Sequence, residues 1–282
     1  MKILTFDIEE WFHILDNTST KTEADWAKYE SRIDANMERI FSLLADNQQS
    51  ATFFCLGWVA RKYPNVIKEI ANRGYEIATH SDLHQLAYEQ DYKVFKADLT
   101  TSIQSLEDII GKKVRAYRAP GFSIKQENKW VFETLIECGI EIDCSVFPAQ
   151  RSHGGFAEFG HAEPCWIETN GLKIKEFPIN LYKGIGVPTI FSGGGYFRLL
   201  PYFLLDNLTK NADYIMTYFH PRDFDPEQPI IAELSFSRKF KSYYGLKNCL
   251  PKLEKLIQAH PFIDLQTADN QVNWEKAKVI KL

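Results

Sequence analysis

Short apolar runs typical of buried strands alternate along this chain with longer stretches of helical periodicity, and the alternation recurs about seven times. Strands are predicted at residues 2–8, 51–56, 75–79, 114–117, 140–143, 172–177, 213–219 and 262–266. Helices are predicted at residues 25–46, 64–73, 93–110, 127–137, 201–210 and 248–259. Because helices of ten or more residues separate the strands, the pattern predicts βαβ units and a parallel sheet.

The length and the lack of a composition break favour one α/β domain covering residues 1–282. A chain of 282 residues suits a single barrel of alternating strands and helices. Residues 148–164 have little periodicity and are predicted to form a long loop, which is usually a functional or mobile element. Together with residues 182–196, this loop is expected to shape substrate choice.

Composition and charge exclude several classes of protein. The net charge of −4 argues against nucleic acid as a partner, because phosphate binding requires a basic surface. The first apolar run is too short for a secretory leader, and no run of eighteen apolar residues predicts a membrane-spanning helix. A cytoplasmic protein is therefore expected. The odd number of scattered cysteines, five in all, favours reduced structural thiols over disulfides.

Polar residues follow five of the predicted strands at the point where each strand ends, namely Asp7, His80, Arg118, Asp143 and His220. The carboxyl ends of the strands in a parallel barrel converge on one face, where active sites lie. One polar residue after a strand carries little information, whereas five from separate strands predict a functional constellation.

His80 and His84 form the most suggestive pair in the chain. A helical turn beginning at Ser81 as N-cap would present both imidazoles to one point, as in metal-binding H-x-x-x-H patterns. Neither histidine alone would predict a ligand, because an isolated histidine is more often structural. The spacing therefore predicts a metal site that needs a carboxylate to complete it.

The acidic cluster at the first strand can supply that carboxylate. Asp7 and Glu9 are two residues apart on an extended segment, so their side chains share a face. One of them would complete a site of two histidines and one carboxylate, and the other could take a proton from water. Glu10 points the other way unless the strand has already turned, and it remains the competing ligand.

Two further strand-end residues have chemistry of their own. Arg118 follows a β-type run, and a guanidinium buried there would need a carboxylate partner. His220 follows an apolar strand and precedes a proline, and it is suited to donating a proton rather than to binding the metal.

Together these stretches resemble the polysaccharide deacetylase family with the NodB homology domain, carbohydrate esterase family 4. T-F-D-I-E-E resembles its first motif, H-S-D-L-H its second and Y-R-A-P-G-F-S-I its third. I-D-C-S-V-F-P resembles the fourth motif and Y-F-H-P-R-D-F-D-P-E-Q-P the fifth. S-G-G-G-Y-F-R-L-L-P is similar to a segment of the bacterial branch linked to exopolysaccharide export. The ordered set runs from about residue 3 to residue 260.

The resemblance implies a distorted (β/α)7 barrel that hydrolyses an N-acetyl group on a sugar with the help of a divalent metal, usually zinc. It implies that Asp7 is the general base and that Arg118 orients it. It also implies that Glu9, His80 and His84 hold the metal. The first motif reads D-x-E here, where many members have two adjacent aspartates, so Glu10 stays open as the ligand.

The remaining implied roles concern the leaving group and the oxyanion. The backbone N–H of Gly121 would help to stabilise the oxyanion, although Gly121 stands where many members carry tyrosine. His220 would protonate the leaving amine. A carboxylate would tune His220, with Asp143 as the first choice and Asp223 as the second.

The resulting expectation is a metal-dependent sugar N-deacetylase of bacterial surface polysaccharide, exopolysaccharide or O-antigen biosynthesis. Its substrate would be an N-acetylated sugar, a polysaccharide, or a nucleotide-linked or lipid-linked precursor. Two alternatives are a hydrolase of cyclic imides or ureides with the same fold and a sugar-binding relative without activity. The sugar, the acyl group, the metal and the oligomeric state stay open.

Overall fold

Parallel strands form the centre of the computed structural model, which describes residues 1–15, 17–151, 153–182 and 190–282. Within these residues the strands are β1 (Lys2–Ile3), β2 (Thr5–Ile8), β3 (Thr52–Cys55), β4 (Glu76–Thr79), β5 (Ala116–Tyr117), β6 (Ile142–Asp143), β7 (Cys165–Thr169), β8 (Leu172–Glu176), β9 (Ile215–Met216) and β10 (Val279–Lys281). Strands β2, β3, β4, β5, β6 and β8 are successive neighbours in one sheet, and all five pairings are parallel.

Strand β9 closes this sheet into a barrel. It pairs in parallel with β1, and Phe219 beyond its end forms a bridge with Phe6 of β2. On its other side β9 meets the segment after β8 through single hydrogen bonds. The Tyr214 hydroxyl donates to the carbonyl of Pro178 at 2.7 Å, and the Met216 amide donates to Oδ1 of Asn180 at 3.1 Å. Seven strands with one imperfect seam confirm the predicted distorted (β/α)7 barrel.

The helices of the described residues lie against the outside of this barrel. They are α1 (Glu23–Trp26), α2 (Ile33–Asp46), α3 (Gly57–Lys62), α4 (Pro64–Asn72), α5 (Tyr92–Ile110), α6 (Trp130–Glu137), α7 (Gly194–Leu199), α8 (Tyr202–Asn211), α9 (Phe236–Tyr243), α10 (Cys249–Ala259) and α11 (Leu265–Gln271). Among the described residues, no helix is both long enough and apolar enough to cross a membrane.

Strand β3 shows how the sheet separates two apolar cores. Phe53 belongs to the cluster that packs the sheet against α2, whereas Phe54 belongs to the cluster shared with Ala78 and Ile142 of neighbouring strands. Adjacent residues of a strand point to opposite faces, so one ring lies outside the barrel wall and the other inside it. The continuous apolar run therefore marks a strand that is covered on both faces.

Two predictions of secondary structure were wrong in an informative way. The helix predicted at 25–46 is interrupted, because the backbone N–H groups of Arg32 and Ile33 donate to the Glu10 carboxylate and start α2 only there. The strand predicted at 262–266 is helical from Leu265. Asp264 caps that helix by accepting from the amide of Thr267 at 2.7 Å.

Strand β7 was not predicted, although the sequence contained its signal. Strands β7 and β8 form an antiparallel hairpin around Asn170 and Gly171, whose φ angles are +46° and +81°. Asn-Gly is the dipeptide that favours such a tight turn. Strand β10 adds to the outer edge of the hairpin. The five cysteines are free thiols, as expected.

Candidate metal centre and active site

The strand ends bring four of the five predicted residues together at one mouth of the barrel. Arg118 Nη1 lies 2.6 Å from Asp7 Oδ1, and His220 Nε2 lies 3.8 Å from Asp7 Oδ2. The Nδ1 of His80 lies 2.8 Å from the carbonyl oxygen of Arg118. These contacts place the ends of β2, β4, β5 and β9 around one point, as the convergence argument predicts.

Glu9, His80 and His84 form a buried cluster whose ligand atoms all lie within 4.8 Å of one another. His84 Nε2 lies 2.6 Å from Glu9 Oε2. Because a carbonyl can only accept, the His80 contact puts the proton of that ring on Nδ1 and leaves the Nε2 lone pair available. Burial lowers the pKa of His80 to about 4, so its imidazole is neutral near pH 7.

The cluster fits a divalent cation on two grounds. Two imidazoles and one carboxylate are a donor set that zinc accepts. Glu9 Oε2 is fully buried and, within the described residues, meets Nε2 of His84 at 2.6 Å without hydrogen-bond geometry, so a cation held by both atoms would satisfy this buried carboxylate. Burial disfavours the Glu9 carboxylate, yet the imidazole of His84 outweighs this effect and lowers the pKa of Glu9.

The loop from His80 to His84 is not the helical turn that the spacing suggested. Ser81 and His84 have φ angles of +70° and +54°, so Ser81 does not begin a helix. Asp98 of α5 holds the loop by accepting from the amides of Asp82 and Leu83 at 2.8 and 3.0 Å. The two imidazoles converge because this strained loop is fixed from outside, and not because of helical periodicity.

Gly57 lets α3 approach this loop closely. The Gly57 amide donates to the carbonyl of Ser81 at 3.0 Å. A Cβ atom at Gly57 would lie 2.3 Å from the Asp82 carboxylate and 2.7 Å from the Cα atom of Ser102. The second contact is to backbone, which cannot move aside, so this position requires glycine.

Glu10, the competing glutamate of the first motif, is directed away from the cluster of Glu9, His80 and His84. Its carboxylate accepts hydrogen bonds from the Ser31 hydroxyl and from the amides of Arg32 and Ile33 at 3.1 and 3.2 Å. It thereby caps the N-terminus of α2. Glu9 is therefore the first-motif carboxylate in the cluster.

Arg118 is fully buried, and its guanidinium forms hydrogen bonds to residues at several strands. Nη1 donates to Asp7 Oδ1 and to the Thr5 hydroxyl at 2.8 Å, and Nη2 donates to the carbonyl of Thr217 at 3.4 Å. The guanidinium also lies over the ring of Phe54 at 4.1 Å. The predicted partner carboxylate is Asp7, which this contact fixes in position.

His220 pairs with Asp223, and the expectation that Asp143 tunes it is wrong. His220 Nδ1 lies 3.2 Å from Asp223 Oδ2, and the same carboxylate accepts from the His220 amide at 3.0 Å. Burial alone would lower the pKa of His220, but Asp223 and the nearby carboxylates raise it to about 9. Arg198 Nε lies 3.2 Å from Asp223 Oδ1, and with His220 it lowers the pKa of Asp223 to about 2 despite burial.

Asp143 is turned toward the wall of the barrel instead. It accepts from the hydroxyl of Ser145 at 2.5 Å, and that hydroxyl accepts from the amide of Ala119 at 2.8 Å. Asp143 thus supports the turn after Arg118 from behind. Burial raises its pKa, although the hydrogen bonds from Glu176 and Ser145 oppose this effect.

Gly121 lies in a left-handed conformation, with φ of +62°, within that turn. A Cβ atom there would lie 2.7 Å from Leu15 and 3.0 Å from Leu86. Both leucines line a cavity of about 290 Å³ that also reaches His84 and Trp26. Two apolar side chains therefore occupy the space beside Gly121, where a larger residue would otherwise form a wall.

Sequence reasoning missed two buried residues at this site. His13 stacks on His84 with ring centroids 5.7 Å apart and packs against Trp26 and Trp58. Its only sequence signal was its position shortly after the acidic cluster. Arg198 was also missed, although it lies within the glycine-rich motif that resembles the bacterial branch.

Comparison with known proteins gives two family matches along the chain. A model described as polysaccharide deacetylase matches residues 4–140, and one described as a domain of unknown function, DUF3473, matches residues 144–270. A peptidoglycan-N-acetylglucosamine deacetylase of Bacillus cereus is 29% identical over 96 residues, which are 34% of this chain and 35% of that protein. A second protein of the same description and organism is 27% identical over 103 residues, or 36% of this chain and 46% of that protein.

The fold comparison covers more of the chain than the sequence matches, which span about a third of it. The crystal structure of a candidate polysaccharide deacetylase from Mycobacterium smegmatis superposes with a TM-score of 0.69 at 18% identity. It covers 99% of this chain and 92% of that one. The barrel fold is thereby shared along nearly the whole length. The family model therefore confirms the resemblance to polysaccharide deacetylases over residues 4–140, which are just under half of the chain.

Proposed function

We propose that this protein is a metal-dependent hydrolase that removes an N-acetyl group from an amino sugar. The observation that carries the proposal is the Glu9–His80–His84 cluster facing Asp7 and His220 across one mouth of the barrel. A ligand set, a base and an acid are thus within reach of one substrate amide. The polysaccharide deacetylase family and its relatives among peptidoglycan deacetylases support the same reaction class.

Glu9, His80 and His84 would hold the divalent cation, for which zinc fits the donor set best. When bound, such an ion supplies Lewis acidity to the amide carbonyl and to water. The remaining chemistry belongs to the side chains around it. His80 is oriented for this purpose by the Arg118 carbonyl, and Glu9 is separated from solvent by burial.

Asp7 is placed to take the proton of the attacking water. One of its oxygens is held by Arg118, and the other faces His220 at 3.8 Å, where water and substrate meet. The guanidinium fixes the carboxylate without protonating it, since arginine does not release its proton in this range. Asp7 can therefore act as a positioned general base.

The amide N–H of Gly121 would donate to the carbonyl oxygen as negative charge develops there. The turn that carries Gly121 is fixed by the Ser145 hydroxyl at Ala119 and by Arg118 in the barrel wall. A donor that is already oriented costs no reorganisation during the reaction. Leu15 and Leu86, which lie beside Gly121 and line the adjoining cavity, would give the methyl group of an acetyl substrate apolar contacts.

His220 would give a proton to the departing amine as the C–N bond breaks, which releases acetate and the free amino sugar. Its pKa of about 9 keeps it protonated near neutral pH, and Nε2 points toward Asp7 and Glu9. Asp223 holds the other nitrogen and so fixes the ring. Acid and base are therefore distinct groups with separate environments.

The proposed substrate is an N-acetylated sugar within a bacterial surface polysaccharide, an exopolysaccharide or an O-antigen, or its nucleotide-linked or lipid-linked precursor. A cytoplasmic location is proposed with it. The net charge of −4 argues against nucleic acid as the principal partner.

The test is acetate release from a panel of N-acetylated sugars and oligosaccharides by the zinc-loaded protein, with Asp7→Asn beside the native chain. We expect release by the native protein and almost none by the variant, with equal metal content in both. Turnover of cyclic imides or ureides in place of sugars would reassign the substrate. Sugar binding without turnover, unaffected by Asp7→Asn, would show a binding protein and refute the proposed activity.

A further inference from the structure

Helix α9 carries apolar side chains that the rest of the described structure does not cover. Phe236, Phe240 and Tyr244 are 88%, 50% and 49% exposed, and none of the residues of α9 is buried. Phe236 and Phe240 lie four residues apart on one side of the helix, and the ring of Tyr244, the residue that follows the helix, lies 4.8 Å from the ring of Phe240. Contiguous exposed apolar surface of this kind marks a site of contact with a protein, a ligand or a membrane.

The same stretch has a charge opposite to that of the chain as a whole. Residues 234–253 contain five basic side chains and no acidic one, whereas the whole chain has a net charge of −4. Lys241 follows Phe240 in α9, Lys247 lies three residues after Tyr244, and both lysines are exposed. We call Phe236, Phe240, Lys241, Tyr244 and Lys247 the aromatic–basic patch.

The patch is fixed to the barrel and continues onto α7. Arg198 of α7 donates to the carbonyls of Lys241, Ser242 and Tyr244 at 2.9 to 3.0 Å, which secures the end of α9. Leu199, which follows Arg198 and is the last residue of α7, is 51% exposed. The aromatic side chains are thus presented from a rigid support, so a flat partner could bind them without ordering a loop.

The patch also adjoins the mouth of the active site. Arg238, in the middle of α9, donates to the carbonyl of Leu15 at 2.7 Å and to Nε2 of His153 at 3.1 Å. Leu15 lines the cavity next to His84, and His153 lies beside Gly121. A surface bound to the patch would therefore lie next to the entrance to the site.

We propose that the aromatic–basic patch docks the protein on an anionic membrane surface. A short amphipathic helix with phenylalanine on one side and lysine beside it binds in the interfacial plane of a bilayer. Lysines near such a surface add electrostatic attraction, because the cytoplasmic leaflet is negatively charged. Docking here is independent of the proposed hydrolysis, although it would bring a lipid-linked substrate to the mouth of the barrel.

Charge favours a membrane over two other possible partners of the patch, a second copy of the chain and a neutral glycan. A second copy of the chain binding through the same patch in a twofold contact would oppose Lys241 and Lys247 to lysines of equal sign. A neutral N-acetylated glycan could stack on the aromatic rings but would leave the unopposed basic charge without a counterpart. An anionic bilayer satisfies both the apolar and the basic parts of the patch.

The experiment is co-sedimentation of the full chain with vesicles of phosphatidylcholine alone or with about 30% phosphatidylglycerol. We expect binding to the anionic vesicles, weakened by salt at about 0.5 M. The double variant Phe236→Ser/Phe240→Ser should bind at least about tenfold more weakly. Lys241→Ala should bind about fivefold more weakly. The matched control Lys93→Ala/Val94→Ser removes an exposed lysine and an apolar side chain that is 54% exposed on α5, and should bind like the native chain.

Equal binding by the native chain and the patch variants, or no binding to anionic vesicles, would overturn the proposal. Loss of affinity of the double variant for a soluble N-acetylglucosamine oligomer, without loss of vesicle binding, would assign the patch to glycan. A dimer of the native chain that the double variant lacks would assign it to a second copy. Acetate release from a soluble substrate should be unchanged in the patch variants, so failure of docking and failure of the proposed hydrolysis are distinguishable.

Discussion

Replacing Asp223 by asparagine should shift the pH range in which the protein is active. Among the groups that raise the pKa of His220, the carboxylate of Asp223 has the largest effect, and this pKa is about 9 instead of the ordinary 6.5. Asparagine retains an acceptor for the His220 amide but loses the negative charge. If the pKa returned to 6.5, the protonated fraction of His220 at about pH 8 would fall about thirtyfold. At about pH 6 it would fall less than about twofold.

The assay is kcat/KM for acetate release between about pH 5 and pH 10, in which the alkaline limb reports the acid of the free enzyme. We expect this limb to move down by at least about one pH unit in Asp223→Asn. The matched control is Asp143→Asn. Asp143 is another fully buried carboxyl group at a strand end, but it contacts Ser145 and not His220.

An unmoved alkaline limb in Asp223→Asn, in a protein with native metal content and native circular dichroism, would refute the assignment of His220 as the acid tuned by Asp223. An equal shift in both variants would show that the limb reports general loosening of the barrel. Because Arg198 loses its partner in Asp223→Asn, the fold of this variant must be verified first.

Three further predictions concern the ligands, the base and stability. Glu9→Gln should weaken zinc binding, measured by calorimetry, more than about tenfold. Glu10→Gln should bind zinc normally but lose about 1 kcal/mol of unfolding free energy, because the Glu10 carboxylate caps α2. Equal zinc affinities of the two variants would contradict the ligand assignment. Asp7→Asn should keep its zinc, measured by elemental analysis, and its kcat should fall about a hundred- to ten-thousandfold. A smaller fall in kcat would exclude Asp7 as the general base. The pKa of His220 is raised on folding, so protonated His220 contributes about 3 kcal/mol to the free energy of unfolding below about pH 6.5, and this contribution is lost as pH rises through about 9. Urea unfolding of the metal-free protein should show this decline in stability, and His220→Gln should abolish the decline.

The convergence of polar residues at the carboxyl ends of parallel strands predicted where the candidate site lies, because this argument depends only on where the apolar runs stop. Asp7 lies near the end of a short buried strand, and His80, Arg118 and His220 follow such strands, whose ends a parallel barrel brings together whatever lies between them. The long periodic helices α2 and α5 were predictable for a similar reason, since a full apolar stripe covers several turns.

The side-chain partners could not be predicted from strand ends alone. Asp143 ends strand β6, whereas Asp223 lies in the 3₁₀ turn at Pro221–Phe224, and this turn brings its carboxylate back to His220. The pattern His-Pro-x-Asp is a sequence signal for this turn, because the carboxylate of the fourth residue can accept a hydrogen bond from the backbone amide of the histidine. The loop around His80 is set by Asp98, a residue distant in sequence that no local pattern connects to it.

The burial of Arg118 constrains the order in which the newly made chain can mature. Its cation needs Asp7 from the first strand and the carbonyl of Thr217, which lies 99 residues further along the chain. While the ribosome has yet to deliver that later segment, water must solvate one side of the guanidinium, and the barrel stays open. His220 follows Thr217 by three residues, so the proton donor is delivered with the segment that closes the barrel. A chain truncated before this segment would therefore lack both the proposed proton donor and the strand that closes the barrel.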